Sequence, residues 1–553
     1  MSDVRRGYDR PESGVYPGES GGSTATSSAS RAAAVTRGRP TRTASPTPPP
    51  PVQAPTKWGL PLLVVIVGMF MSVLDTSIVN VAIPTMQGQF SASPDNIQWI
   101  ATAYTLCLGV VVPTSAWLGE RLGLRRTYLL ALVLFSAFSA LCGTATDLNM
   151  MIVYRVLQAI PGGVIPVTCL TILYRMVPPS KLGAAMGLYG LGIVFAPGVG
   201  PTLGGYLVEY VDWRLIFYIN VPIGILGAIA AMIVLPKFPA TPGRPFDVPG
   251  FVCIAAACFA LLLAVSEGQQ WGWTSYPVLM LVAGGFNLLA LFVVIELHVK
   301  HPLLTLQTFR YWPYVNSLLL MAIVYTGLFS SLYYVPLFLQ NVQGITPWNT
   351  GLTVMPQALV MAVLTPFAGR LFDKFGARYL VMAGMTIDGI GTLMMAQINT
   401  DMSRTAILLR LMVSAAGLAL CFMPIMTGGM SSLPPQITSA GSAMTTLVQR
   451  VSAAIGLAAV TAFTTIQQAQ LFADRSSLLQ TTGPDVDPRI TQMQGQGPDG
   501  LLQLFQELTN KVTTQSYSDA FLLVGICVLA AVPLAYFLPK KRPTGGSSGP
   551  VEM

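Results

Sequence analysis

Fourteen predominantly apolar runs of about twenty residues, separated by short polar stretches, organise the chain: roughly 59–83, 98–119, 127–145, 150–174, 183–207, 215–235, 248–267, 277–297, 314–339, 350–371, 379–397, 405–430, 438–465 and 518–538. Runs of this length match a hydrocarbon core about 30 Å thick at ~1.5 Å per residue, so each predicts a membrane-spanning helix. Residues 1–56 lack the pattern: they are rich in Ser, Thr, Gly and Pro and end in Pro48-Pro49-Pro50-Pro51, which predicts a disordered tail with too little apolar surface to offset ordering entropy. Residues 539–553 read as a second, short tail. Between the last two runs, residues 466–517 read as a long outer loop. Within it Asp499 predicts the cap of a short helix with Leu501, Leu504, Phe505, Leu508 and Val512 on one face. Such a face suits packing on the protein itself, the membrane surface, or an extracytoplasmic adaptor or lipoprotein.

Composition agrees: 52% of residues are apolar and only 10% charged, with a mean hydropathy of +0.60. The net charge of +8 does not point to nucleic acid, because the basic residues flank the spans rather than gather on one surface. Of the 31 Lys and Arg, 23 fall on the side shared by both termini, five on the opposite side and three within spans. That bias places both termini in the cytoplasm of a multi-pass protein; the Gly-, Ala- and Pro-rich composition fits a bacterial high-GC source, and the expected location is the bacterial inner (plasma) membrane. The seven cysteines lie inside apolar runs with no CxxC pair and no clustered His, which predicts neither disulfide nor metal site. No P-loop and no nucleophile–base pair is present, so the expectation is a non-enzyme without ATP or another cofactor.

An internal repeat emerges when Ala116-Trp117-Leu118-Gly119-Glu120-Arg121-Leu122-Gly123-Leu124-Arg125 is laid over Gly369-Arg370-Leu371-Phe372-Asp373-Lys374-Phe375-Gly376-Ala377-Arg378. Acid, base, Gly and Arg recur in register. The chain therefore reads as an all-α membrane protein of two related six-helix halves, 57–235 and 301–538, with an inserted helix pair in 236–300, an arrangement that builds a site at the interface of the halves near the bilayer midplane. Glu120, Arg121, Arg125 and Arg126, with Asp373, Lys374 and Arg378, are candidates for charge-assisted contacts across the inner helix ends that hold one conformation and break in another.

Charges inside the spans carry the chemistry. Asp75 interrupts the first run, and a charge there costs roughly 2.5–3.5 kcal/mol on insertion scales, so it is expected to face a bundle interior or watery cavity. Arg155 lies about five residues from the outer end of its span and Asp75 about eight from the outer end of its own, which puts them at similar depth and within reach of each other. Such a pair is the minimum machinery for proton exchange. Arg410 is placed in its span much as Arg155 is, Arg450 lies near mid-span, and Asp388 is the other intramembrane acid. In the fifth span Gly192, Ala196, Gly200 and Gly204 form a small-residue stripe, with Pro197 and Pro201 inviting a bend.

Taken as a set, these motifs resemble the major facilitator superfamily and, within it, the fourteen-helix drug:proton antiporters of EmrB/QacA type. The resemblance rests on residues 74–84 (Leu74-Asp75-Thr76-Ser77-Ile78-Val79-Asn80-Val81-Ala82-Ile83-Pro84), on the loop from Ala116 to Arg126, on Arg155-Val156-Leu157-Gln158-Ala159, on Gly190 to Gly205, and on residues 213–224 from Trp213-Arg214 through Asn220-Val221-Pro222. In the loop Ala116 and Glu120 stand where Gly and Asp are usual, and Ala159 where Gly is common. The resemblance implies alternating access, with Asp75, Arg155 and Asp388 as candidates for proton coupling and Gly200, Pro201 and Gly204 in a helix that seals the half-interface. It implies a substrate cavity drawing on Tyr104, Gln158, Tyr325, Phe329, Tyr333, Arg410, Met423, Gln449 and Arg450. Aromatic faces beside Asp75 suit lipophilic, cationic drugs. The expected activity is proton-coupled efflux of such compounds. Export of an endogenous lipid, siderophore or natural product is the alternative, and a membrane sensor or scaffold that moves nothing the remote one.

Overall fold

The computed structural model of the protein describes residues 58–240, 245–300, 302–477 and 498–539; the tail expectations for 1–56 and 539–553 fall outside them except at residue 539. Twelve described helices are long and apolar enough to cross a membrane, or thirteen if one bent pair is counted as a span. The main helices are labelled α1 (Gly59–Phe90), α2 (Trp99–Val111), α3 (Thr114–Leu122), α4 (Leu124–Gly143), α5 (Leu148–Met176), α6 (Leu182–Tyr210), α7 (Asn220–Val234), α8 (Val248–Trp271), α9 (Tyr276–His298), α10 (Trp312–Leu337), α11 (Pro347–Phe375), α12 (Ala377–Met395), α13 (Arg404–Met430), α14 (Thr438–Ser477) and α15 (Pro498–Ala531). The bent pair is α2 and α3, which meet at 57° around Pro113, where the missing proline N–H interrupts the backbone ladder. The run expected at 379–397 is α12, whose 19 residues pack between α13 and α15 although they include Asp388, Gly384, Gly389 and Gly391.

α1–α7 form one bundle and α10–α15 the other. In both, the inner turn of the repeated loop is made by a glycine at positive φ, Gly123 at 83° and Gly376 at 79°, a region open to Gly without the Cβ penalty. The inserted α8 packs against its partner α9 and also against α2 of the first half and α14 of the second, so the pair covers one seam between the halves. α9 turns Met280, Phe286 and Leu297 outward, as a lipid-facing helix does.

Within the segment expected to be an outer loop, the described residues 466–477 and 498–517 are helical. α14 runs on to Ser477 and α15 begins at Pro498, so the predicted short helix is the outer end of a 34-residue helix. Phe472 and Phe505 meet edge-on with ring centroids 5.7 Å apart, tying the two extensions together. Val512 is buried, whereas Phe505 is half-exposed. The sequence reading ended these spans where apolar residues ended, but helix propagation needs only backbone hydrogen bonds and tolerant residues such as Ala, Gln and Leu.

Candidate functional site

Asp75 and Arg155 meet inside the first half, both buried, with Arg155 Nη1 donating to Asp75 Oδ2 at 2.7 Å. Arg155 and Gln158 lie three apart on α5 and therefore share a face. Arg155 Nη1 also donates to Gln158 Oε1 at 2.7 Å, and Gln158 Nε2 donates to Asp75 Oδ1 at 3.0 Å. Asn220, at the start of α7, donates through Nδ2 to the same Oδ1 at 3.0 Å and to Ser139 Oγ of α4 at 3.2 Å. The Tyr104 ring of α2 lies 3.7 Å from the Arg155 guanidinium carbon, and the Phe217 ring 5.7 Å. Donors from α5 and α7 thus satisfy both oxygens of the carboxylate on α1, as a buried charge requires. Three buried polar atoms around it, Tyr104 Oη, Arg155 Nε and Asn220 Oδ1, have no hydrogen-bond partner among the described residues.

This geometry corrects one expectation. A carboxylate offered to a cationic substrate was inferred from the sequence, but here both Asp75 oxygens are taken by donors of its own half and the side chain is fully buried. Asn220 and Ser139 went unassigned in the sequence reading, although Asn220 stands in one of its motifs; polar residues in apolar spans were the available signal.

The ends of the halves that carry the repeated loop, expected to be the inner ones, are bridged. Asp373, closing α11, accepts from the backbone N–H of Gly183 (2.9 Å, Oδ1) and Ala184 (3.0 Å, Oδ2) at the start of α6, where the helix dipole favours an anion. On the other seam Arg175 Nη2 donates to Ser439 Oγ at 3.1 Å and the Tyr174 hydroxyl to the Met426 carbonyl at 3.4 Å. Glu120 lies close enough to Arg175 to act on its charge. Arg175 had been read only as a topology signal. Other loop residues stay within their halves. Arg125 donates to the Met232 carbonyl, Arg378 to the Leu538 carbonyl at 3.2 Å while covering the Tyr536 ring, Arg121 lies over Trp117, and Lys374 over Phe375.

The α6 stripe also differs from expectation. Gly192, Gly200 and Gly204 face Ile66, Ser77 and Ile78 of α1, within the first half, and Pro201 is exposed. The face that meets the second half carries Gly183, Gly187, Gly190 and Gly198, against Gly369, Thr365, Met423 and Ala358. Small residues thus line two faces of one helix, and periodicity alone does not say which neighbour each face meets.

In the second half Asp388 accepts from Ser414 Oγ at 2.6 Å, between α12 and α13. Arg410 does not reach it; Arg410 Nη1 donates to the Met394 carbonyl at 2.8 Å. Tyr325 stacks on Phe329 at 5.9 Å and lies 5.2 Å from Phe422. Tyr333 lines a separate cavity of about 300 Å³ with Thr102, Ser266, Trp273 and Thr461, on the seam that α8 covers. Gln449 Nε2 lies 3.8 Å from Met426 Sδ. Met423 is buried against Gly190.

Residues 65–457 match the family model of the Major Facilitator Superfamily. The chain belongs to that superfamily. The uncharacterized MFS-type transporter YhcA of Bacillus subtilis is 34% identical over 420 residues, covering 75% of this chain and 79% of its own. The multidrug resistance protein Stp of Mycobacterium tuberculosis is 32% identical over 400 residues, 72% and 74% of the two chains. The tetracenomycin C resistance and export protein of Streptomyces glaucescens is 28% identical over 497 residues, 87% and 92%. Among solved structures, the D-xylose-proton symporter aligns with a TM-score of 0.54 at 14% identity, over 87% of this chain and 98% of that one, a likeness of fold. The protein is a multi-pass membrane transporter of the major facilitator type.

Proposed function

We propose that the protein is a bacterial plasma-membrane exporter that expels lipophilic compounds in exchange for protons, with Asp75 as proton acceptor and Arg155 as its counter-charge. The observation that carries this reading is the Asp75–Arg155 pair, buried at 2.7 Å within a network that both Gln158 and Asn220 enter. Protonating the carboxylate leaves a buried guanidinium uncompensated, and removing one partner of such a pair costs about 3–5 kcal/mol. The bundle relieves that cost by rearranging so that Arg155 finds water or another acceptor, which links proton binding to conformation. The inner bridges through Asp373 and Arg175 are the contacts such a rearrangement breaks. Relatives named for multidrug resistance and for tetracenomycin C resistance and export support the outward direction and a drug-like cargo.

The test uses inverted membrane vesicles holding an imposed pH gradient, reported by an amine dye that recovers fluorescence when protons leave. Addition of a lipophilic substrate discharges the gradient in vesicles with the native chain and not in those with Asp75→Asn. Equal discharge by both rejects the coupling role of Asp75.

A further inference from the structure

Arg450 lies on α14, 12 residues from its inner end at Thr438; at ~1.5 Å per residue that is about 18 Å into the membrane, near its midplane. α14 packs against α10, α13 and α15 of its own half, against α2, α3 and α5 of the other, and against the inserted α8. Arg450 is close enough to Tyr104 of the first half and Tyr325 of the second for each to act on its charge, and its helix packs against both halves. It is half-buried. Among the described residues it makes no ion pair and no hydrogen bond. The acids on elements packed against α14 do not act on Arg450: Glu120 lies at the inner end beside Arg175, Glu507 holds Lys511 near the outer end, Asp519 of α15 accepts from Gln515, and the buried Glu267 of α8 is engaged elsewhere. Asp75, the nearest acid of the first half, is neutralised by Arg155.

An arginine held at this depth without a carboxylate costs several kcal/mol unless a ligand or water supplies the missing charge or solvation. Beside it stand two aromatic side chains, Tyr104 and Tyr325, and Tyr325 in turn stacks on Phe329 and lies 5.2 Å from Phe422. We propose that the transported compound is an amphiphilic anion: a carboxylate, sulfonate or phosphate that Arg450 takes as a charge-assisted pair, on an apolar or aromatic body lying against Tyr325 and Phe422. This deepens the proposed function and rests on it for direction of transport, though not for binding. It replaces the cationic cargo expected from Asp75, because the free charge on the seam is positive. The planar fork of arginine suits such oxyanions.

The full chain in phosphatidylcholine nanodiscs is titrated with two fluorescent probes of matched body and opposite charge, pyrene-1-sulfonate and (pyren-1-ylmethyl)trimethylammonium. The native protein is expected to bind the sulfonate at least tenfold more tightly than the ammonium. Arg450→Gln removes that preference and Arg450→Lys restores most of it. Adding phosphatidylglycerol separates two sources of the anion: competition identifies a lipid headgroup as the occupant, and its absence a soluble amphiphile. Equal binding of both probes, tighter binding of the ammonium, binding of neither, or an unchanged preference in Arg450→Gln overturns the proposal. Failure of the proton-coupling reading looks different: the native protein binds the sulfonate but does not accumulate it under a pH gradient.

Discussion

Replacing Asp373 tests whether the inner bridge sets the balance between conformations. The carboxylate accepts two backbone N–H bonds from the first turn of α6, at 2.9 and 3.0 Å, and links the two halves. A hydrogen bond to a charged group contributes about 1.5–3 kcal/mol when protected, but the Asp373 side chain is exposed, and water takes over part of each bond once it breaks. Taking about 1 kcal/mol for each gives roughly 2 kcal/mol for Asp373→Ala, a shift of about thirtyfold in the ratio of inner-closed to inner-open protein. Asp373→Asn keeps an acceptor for one of the two N–H groups and is expected to shift the ratio by about fivefold. The assay is a spin-label distance measurement between cysteines placed at the exposed Arg126 and Lys374, one in each half, in an otherwise cysteine-free chain. The native chain should give mainly a short distance, Asp373→Ala a dominant longer one and Asp373→Asn a mixture. Identical distance distributions in all three would refute the assignment of a latch to Asp373.

Gly187→Ala should lengthen the same inner distance, because its Cβ would lie 2.9 Å from the Thr365 carbonyl oxygen and 3.0 Å from Pro366 Cα across the seam. Gly204→Ala instead sets a Cβ 2.9 Å from Ile78 Cγ1 inside the first half, so thermal unfolding should show a loss of about 1–3 kcal/mol while the inner distance stays native. Asp388→Asn keeps an acceptor for the Ser414 hydroxyl, so gradient-driven transport should remain within about twofold of native; abolition would move proton coupling into the second half. Asn220→Ala leaves Asp75 Oδ1 and Ser139 without one donor each and is expected to destabilise the protein by about 1–3 kcal/mol, measured by thermal unfolding, with Asn220→Ser recovering part of it.

Much of this was legible in the sequence because membranes leave few alternatives. Hydropathy located the helices, and counting residues from span ends put Asp75 and Arg155 at one depth, where the structure brings them to 2.7 Å. Side-chain direction was not legible: the α6 stripe identified a close-packing face, but α1 rather than the second half fills it. Arg410, placed in its span much as Arg155 is, meets a backbone carbonyl rather than an acid, and Asp388 accepts from Ser414; which groups face each other is set by packing that position in a span does not encode. The outer ends of α14 and α15 were missed because apolar patterning marks where a helix is in lipid, not where it stops. Arg450 was recognised as an intramembrane charge, but its lack of a partner depends on every neighbouring side chain, which no local pattern encodes.

The most direct test of the account is accumulation of a fluorescent amphiphile in proteoliposomes under a pH gradient of one unit, with the membrane potential clamped by potassium and valinomycin. One proton moving down that gradient supplies about 1.4 kcal/mol, enough for at most about tenfold accumulation. The native chain should approach that ratio, whereas Asp75→Asn should equilibrate the probe to a ratio near one while still exchanging it across the membrane. Tenfold accumulation by Asp75→Asn would contradict the claim that the Asp75–Arg155 pair couples protons to transport.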